Sequence, residues 1–302
     1  MLHRAAAVLL ALIAAAAHPA LALPPGEPFV VASYNVENWL SMERRVNGER
    51  VLATKPEREK QAVVDVIAAH KPDILGIVEI GQPEDLEDLR SRLKAAGLDY
   101  PHLEWADGPD PNRHVALLSK FPIVERNSLA RIPFDLDGKP QVVQRGILDV
   151  TIEPAQDYRI RVIGVHFKSR RDVPEFDQAA LRSREAEALR SHVAGILEAD
   201  PEANILLFGD FNDTKNEYPL RHLLGGPASR RLRDLFLSDA LGDRWTHFWK
   251  AADVYSRIDY LIVSPGLFRE VDGKKRGIDR SENWFVGSDH RLIFATIAAA
   301  DK

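Results

Sequence analysis

Short apolar runs alternate with amphipathic segments along most of the 302-residue chain, and this alternation constrains the fold more than any other feature. The run 74–78, Ile-Leu-Gly-Ile-Val, is typical of a strand that is covered on both faces. In the segment that begins at Pro56, apolar residues recur at three- and four-residue spacing, which predicts a helix. Because strands and helices are mixed and no linker rich in Pro, Gly or Ser separates them, we predict a single α/β domain.

The same patterns predict the positions of the individual elements. The predicted strands are 29–34, 74–78, 115–118, 147–152, 160–167, 205–208, 258–263 and 292–297. The predicted helices begin at Pro56, span 83–96 before Gly97, and span 176–197. We expect strands 147–152 and 160–167 to pair antiparallel. The loops 39–55, 124–145 and 213–256 carry no signature that indicates a substrate.

The first 22 residues differ from the rest of the chain. A short positive start precedes the apolar run 5–17, and Ala20-Leu21-Ala22 has the small-x-small pattern of a signal-peptidase site. A membrane anchor is the alternative, but the run is short for crossing a bilayer. We therefore expect residues 1–22 to be a signal peptide and residues 23–302 to be the mature domain, located in the periplasm or secreted.

Composition limits the kinds of site that the chain can hold. It has no cysteine, which excludes disulfides and thiolate metal sites. Its net charge of −5 argues against a protein that binds long stretches of nucleic acid through a basic surface. Any contact with phosphate is therefore expected to be local. The candidate cations are Arg113, Arg145, Lys168, Arg170 and Arg171, although a solvated surface position is the more common role for such residues.

Polar residues gather at the ends of the predicted strands, where α/β sheets place ligand sites. Each one alone has a simpler explanation as a turn residue, a solvated loop residue or a structural histidine. Their occurrence together favours a functional site. They are Asn35, Glu37, Glu79, His166, Asp210, Asn212, Asp259, Asp289 and His290.

The order of the segments that carry these residues resembles the endonuclease/exonuclease/phosphatase family, from about residue 29 to residue 297. Trp245-Thr246 also resembles the family pattern, whereas Val78 departs from it, because many members have Gln there. The matching segments are Ser-Tyr-Asn-Val-Glu-Asn (33–38), Pro-Asp-Ile-Leu-Gly-Ile-Val-Glu (72–79), Val-Ala-Leu-Leu-Ser-Lys-Phe-Pro-Ile (115–123), Gly-Val-His-Phe-Lys-Ser (164–169), Gly-Asp-Phe-Asn (209–212), Arg-Ile-Asp-Tyr (257–260) and Gly-Ser-Asp-His (287–290).

The resemblance implies a fold and a metal site. The expected fold is two packed mixed β-sheets flanked by helices, a four-layer DNase-like sandwich formed by a single domain. The expected metal ligands are Asn35, Glu79 and Asp289, with Asp289 acting directly or through water. Carboxylate and amide oxygens without thiolates suit a hard cation, so the expected cofactor is Mg²⁺ or Mn²⁺.

The resemblance also implies catalytic roles. Asp210 and Asn212 would orient and deprotonate the attacking water. His290 would contact the phosphoryl oxygen and be held in orientation by Asp259, and His166 would be a second phosphate contact. Whether Asp210 or His290 takes the proton, and what Glu37 does, stay open. Arg113, Arg145, Lys168 and Arg170 are the expected substrate-binding residues.

Three functions are compatible with these observations. The first is an exported, Mg²⁺-dependent, endonuclease-like hydrolase that cleaves phosphodiesters of DNA, RNA or nucleotides by in-line attack of an activated water. The second is a phospholipid (sphingomyelinase-like) or sugar/inositol-phosphate phosphoesterase that uses the same site. The third, an inactive binding module, is disfavoured because the set of acid, amide and histidine residues is complete.

A lipid-cleaving enzyme would be expected to expose an aromatic hairpin for membrane docking. The sequence shows no convincing one, and we interpret the segment 245–249 as packing before a strand. We expect a monomer without stable membrane insertion.

Overall fold

The computed structural model describes residues 22–171, 176–227 and 230–302. Residues 1–21, which make up nearly all of the predicted signal peptide, lie outside the described residues, and that assignment stays a prediction. Within the described ranges, no helix is both long enough and apolar enough to cross a bilayer.

The described residues form eighteen strands and six helices. The strands are β1 (Pro28–Trp39), β2 (Met42–Val46), β3 (Glu49–Ala53), β4 (Ile74–Ile80), β5 (His102–Trp105), β6 (His114–Ser119), β7 (Ile123–Arg126), β8 (Pro133–Leu136), β9 (Lys139–Val142), β10 (Leu148–Ala155), β11 (Tyr158–His166), β12 (Ile205–Asp210), β13 (Arg233–Asp234), β14 (His247–Trp249), β15 (Val254–Ser256), β16 (Asp259–Val263), β17 (Val271–Ile278) and β18 (Ile293–Ala298). The helices are α1 (Glu57–His70), α2 (Pro83–Ala95), α3 (Gln178–Ala199), α4 (Tyr218–Leu224), α5 (Pro265–Phe268) and α6 (Trp284–Gly287).

Two six-stranded mixed sheets form the centre of the molecule. One has the strand order β17-β18-β1-β4-β6-β5, and the other has the order β13-β16-β12-β11-β10-β7. The pairs β1–β4 and β11–β12 are parallel, and the predicted β10–β11 pair is antiparallel. The sheets pack closely, because a Cβ at Gly76 or Gly164 would lie within 2.4 Å of the Phe208 ring. Glycine is therefore required at both positions.

Helices cover the outer face of each sheet. Helices α1 and α2 place residues such as Val63 and Leu89 in one apolar cluster with the first sheet. Helix α3 does the same for the second sheet, through residues such as Leu189 and Val193, and α4 packs beside it. The predicted four-layer α/β sandwich is therefore confirmed.

Local signals explain several helix boundaries. Pro56 precedes the first residue of α1, and the helix ends at His70, before Lys71, which adopts a left-handed conformation. A capping box between Gln82 and Asp85 begins α2. Helix α3 begins at Gln178, two residues later than predicted, because the Asp177 side chain accepts hydrogen bonds from the first backbone N–H groups.

Three small hairpins were not predicted from the sequence. They are β2–β3, β8–β9 and β14–β15, and each lies outside the two large sheets. The interpretation of 245–249 as packing is correct for Trp245, which lies against Trp284 and Arg291. It is wrong for Trp249, which is 58% exposed on β14. Short, mostly exposed strands bury too few side chains to produce a recognisable apolar pattern.

Candidate active site

The predicted polar residues meet because their strands are neighbours in register. In the second sheet, His166 lies beside Asp210, and Asp210 lies beside Asp259, across three adjacent strands. In the first sheet, Asn35 pairs with Val78, next to Glu79. The same ends of the two packed sheets therefore carry both groups of residues.

Asn35 connects the two sheets at the site. Its buried side-chain Nδ2 donates to Asp210 Oδ2 at 3.3 Å and lies 3.4 Å from His290 Nε2. Its Oδ1 accepts from the backbone N–H of Glu37 at 3.0 Å. The amide is therefore held in one orientation between a carboxylate and an imidazole.

His290 and Asp259 form a buried pair, as predicted from the sequence. His290 Nδ1 lies 2.8 Å from Asp259 Oδ2, which leaves Nε2 facing Asn35 and, at 3.7 Å, Asp210. Burial alone would lower the pKa of His290, but Asp259 and the other nearby carboxylates outweigh it and raise the pKa well above its ordinary value. The surrounding carboxylates therefore favour the protonated imidazole, and its Nε2 is directed toward Asn35 and Asp210.

The backbone around this pair is fixed by two hydroxyl groups. Ser288 Oγ donates to the Asn35 carbonyl at 2.7 Å and accepts from the His290 N–H at 3.0 Å. Thr246 Oγ1 accepts from the N–H groups of Ile258 and Asp259 at 3.1 Å each. The Trp245-Thr246 pair noted in the sequence therefore positions Asp259.

Asp210 and Asn212 form a tight turn after β12. The Asn212 N–H donates to Asp210 Oδ1 at 2.8 Å, and its side-chain Nδ2 donates to the Phe167 carbonyl at 2.9 Å. Burial, followed by repulsion from Asp259, raises the pKa of Asp210 to about 8. Asp210 is therefore more basic than an ordinary carboxylate, which suits a proton acceptor.

Glu79 lies at a bulge in β4, with a left-handed φ of 65°. Its Oε2 accepts from the Asn38 N–H at 3.0 Å, and Arg113 Nε lies 3.7 Å from it. Glu37 is also left-handed, with φ 46°. Such conformations cost about 1–3 kcal/mol for residues other than glycine, and they concentrate at functional sites.

The carboxylates of Glu37, Glu79 and Asp289 lie close enough to repel one another. Burial, followed by repulsion from Asp289, raises the pKa of Glu37 to about 7, and Glu79 adds to the repulsion. The buried Lys55, which was missed in the sequence, donates to the Glu37 carbonyl at 2.8 Å. A divalent cation between the carboxylates would offset their repulsion, so this all-oxygen donor set fits Mg²⁺ or Mn²⁺.

The potential ligand atoms are not all equally close. Among the described residues, the groups of three whose ligand atoms lie within 4.8 Å of one another are His247–Asp289–His290 and Asp210–Asp259–His290. Glu79 belongs to neither group. The assignment of Asn35, Glu79 and Asp289 to one ligand set stays a prediction.

His247 is a residue of the site that the sequence reasoning missed. Its ring lies 4.6 Å from the ring of His290, and its Nε2 lies 3.6 Å from Asp289 Oδ2. The one available signal was its position directly after Trp245-Thr246.

His166 is buried between the two halves of the site. Its Nε2 lies 3.8 Å from both Glu79 Oε1 and Asp210 Oδ2. Its Nδ1 has no hydrogen-bond partner within residues 22–171, 176–227 and 230–302. Burial, followed by the positive charge of Arg145, lowers the pKa of His166 well below its ordinary value. The environment of His166 therefore favours its neutral form, in contrast to that of His290.

The positively charged residues predicted to bind substrate have different environments in the structure. Arg113 lies at Glu79, as described. Arg145 is buried and paired with Asp110 at 2.9 Å, and its Nε and Nη1 have no hydrogen-bond partner among the described residues. Burial and Arg145 lower the pKa of Lys168.

Arg170 pairs with Asp213 and donates to the Asn212 carbonyl at 3.1 Å. Its charge is therefore neutralised by Asp213 at the turn after β12. Arg171 is exposed.

The sequence model of the endonuclease/exonuclease/phosphatase family matches residues 45–290. The chain belongs to this family. Members of the family are hydrolases, typically metal-dependent phosphodiesterases. No curated protein matches the sequence closely enough to count as a relative.

Solved structures of the family are similar in fold. Truncated Caenorhabditis elegans TDP2 superposes with a TM-score of 0.62 at 17% identity, covering 91% of this chain and 99% of that one. The human nocturnin catalytic domain with bound sulfate gives 0.62 at 18% identity, covering 91% and 95%. A beta toxin structure from Staphylococcus aureus gives 0.60 at 17% identity, covering 88% and 99%. At these identities, the comparisons establish the shared fold.

Proposed function

We propose that this protein is an exported, metal-dependent phosphodiesterase that hydrolyses nucleic acid or nucleotides. The observation that carries the proposal is the buried arrangement of Asp210, His290 and Asp259 beside Asn35, at the ends of both sheets. It places a carboxylate of raised pKa beside an imidazole of raised pKa, which supplies the proton acceptor and the hydrogen-bond donor that phosphoryl transfer to water requires.

We assign each residue a role that its position in the site supports. Glu79, Asn35 and Asp289, with Glu37 beside them, would hold the cation, which neutralises the charge of the phosphodiester. Asp210, oriented by Asn212, receives the proton of the attacking water. His290 donates from Nε2 to a phosphoryl oxygen, while Asp259 fixes its ring and its charge. His166, whose pKa is lowered by burial, would donate a hydrogen bond to the phosphate.

The export of the protein is part of the proposal and has its own test. The support is the apolar run 5–17 followed by Ala20-Leu21-Ala22. N-terminal mass analysis of protein from the producing cell should find a chain that begins near Leu23. An intact Met1 on folded cytoplasmic protein would contradict export without affecting the proposed activity.

A substrate panel tests the proposed reaction. Purified protein lacking residues 1–22 is incubated with plasmid, single-stranded DNA, RNA, sphingomyelin, inositol phosphates and a nitrophenyl phosphodiester, each with Mg²⁺, Mn²⁺ or chelator. We expect metal-dependent cleavage of nucleic acid that is lost in His290→Ala. Cleavage of sphingomyelin alone would favour the second candidate, a phospholipid phosphoesterase, for which the exposed β14–β15 hairpin is the supporting observation. We further propose a monomer, which light scattering would check.

A further inference from the structure

The β14–β15 hairpin and the residue before it are hydrogen-bonded directly to the segment 289–291, which carries Asp289 and His290. The Phe248 N–H donates to the Asp289 carbonyl at 2.9 Å, and the Arg291 N–H donates to the Thr246 carbonyl at 2.7 Å. These two bonds flank His290, and they hold the hairpin in a fixed position beside it.

Strand alternation places Trp249 on the same face of the hairpin as His247. Successive side chains of a strand point to opposite faces, so His247 and Trp249 share one face and lie roughly 7 Å apart. The ring of His247 contacts the ring of His290, as described above. The indole of Trp249 therefore lies on the face of the hairpin that is directed toward the active site.

Packing within the protein does not account for Trp249. Its neighbours on the opposite face, Phe248 and Tyr255, stack on each other with ring centroids 4.4 Å apart, and they stabilise the hairpin without it. Trp249 pairs with Val254, which is also exposed, and the indole is 58% accessible. An exposed indole beside a site for phosphate esters is a surface on which a planar ring can stack.

We propose that Trp249 is the stacking surface for a nucleobase next to the scissile phosphate, and this rests on the proposed phosphodiesterase function. Stacking uses the face of the base, so it accepts any base but requires the base to be unpaired. The preferred substrate class is therefore single-stranded nucleic acid or nucleotides. The polar tip of the hairpin, Lys250-Ala251-Ala252-Asp253, disfavours insertion into a lipid surface.

The test compares two substrates that differ only in their bases. An oligothymidylate and an abasic oligomer of the same length are assayed with wild type, Trp249→Ala, Trp249→Phe and the control Phe285→Ala. Phe285 is an equally exposed aromatic residue, but it lies on α6. We expect Trp249→Ala to raise KM for oligothymidylate about 5- to 150-fold, the range of base stacking. For Trp249→Ala, KM for the abasic oligomer and kcat for both substrates should stay within about twofold of the wild type. All values for Phe285→Ala should also stay within about twofold. Trp249→Phe should restore most of the affinity for oligothymidylate.

The outcomes separate this inference from the proposed function. Stacking by Trp249 is refuted if the wild type cleaves oligothymidylate but Trp249→Ala leaves KM unchanged or raises KM equally for oligothymidylate and the abasic oligomer. The phosphodiesterase function stands in that case. If no phosphodiester is cleaved with added metal, the proposed function fails. Binding of labelled oligothymidylate and abasic oligomer, measured by anisotropy in chelator, then tests Trp249 without turnover. Binding of wild type to phosphatidylcholine–sphingomyelin vesicles that Trp249→Ala abolishes would overturn the nucleobase assignment.

Discussion

The pairing of Asp259 with His290 allows a quantitative prediction. Replacing Asp259 with Ala removes the carboxylate that lies 2.8 Å from His290 Nδ1 inside the protein. Removal of the equivalent carboxylate in a Ser-His-Asp triad lowers kcat by about 10⁴, a value known from that system. Here His290 keeps Asp289 at 3.8 Å, which still favours the protonated imidazole. We therefore expect a smaller loss in kcat, about 10²- to 10³-fold, equivalent to about 3–4 kcal/mol.

The assay is turnover of a nitrophenyl phosphodiester at saturating Mg²⁺, with KM measured in parallel. The control is Asp149→Asn, which disrupts another carboxylate–imidazole pair, between the buried Asp149 and the partly buried His192. It should lower stability while leaving kcat unchanged. Because Asp259 and His290 act as a unit, the double variant His290→Ala/Asp259→Ala should be barely slower than His290→Ala. If the two losses simply multiply, the residues act independently and the assigned role of Asp259 is wrong.

Three further predictions concern metal, substrate and pH. Chelation should abolish turnover, and Mg²⁺ or Mn²⁺ should restore it. Glu79→Gln should weaken metal affinity in titration calorimetry and leave the circular dichroism spectrum unchanged. Full activity in excess chelator would contradict the metal site. Binding of single-stranded DNA should have a shallow salt dependence, equivalent to about one to three neutralised phosphates, and a steep slope would reveal an extended basic groove. The buried Glu270 accepts from the Tyr158 hydroxyl, and burial, followed by repulsion from Asp301, raises its pKa to about 7. Its neutral form is favoured in the folded state, so its contribution to stability is present below its unfolded pKa and is lost as pH rises through about 7. Glu270→Gln should therefore raise the melting temperature by about a few degrees at pH 8 and have little effect near pH 4. An equal change at both pH values would refute the raised pKa of Glu270.

The sequence was sufficient for the elements whose formation depends on local rules. The apolar run 74–78 became the buried strand β4, and Pro56 and Gly97 mark the start of α1 and the end of α2. These features are readable because burial on both faces and the backbone limits of proline and glycine act on neighbouring residues. The ordered motifs were also sufficient to predict the family and the sandwich.

Only the tertiary structure decided how the site is assembled. Asp259 and His290 are 31 positions apart, and the register of β12 with β16 together with the hairpin contacts brings them to 2.8 Å. The left-handed backbone of Glu79 and the buried position of Lys55 likewise had no local signal. The position of His247 after Trp245-Thr246 did not indicate its proximity to Asp289. Each of these depends on which strands are neighbours and on how two sheets pack. Spacing along the chain does not encode such contacts, because they form only when distant segments bury one another.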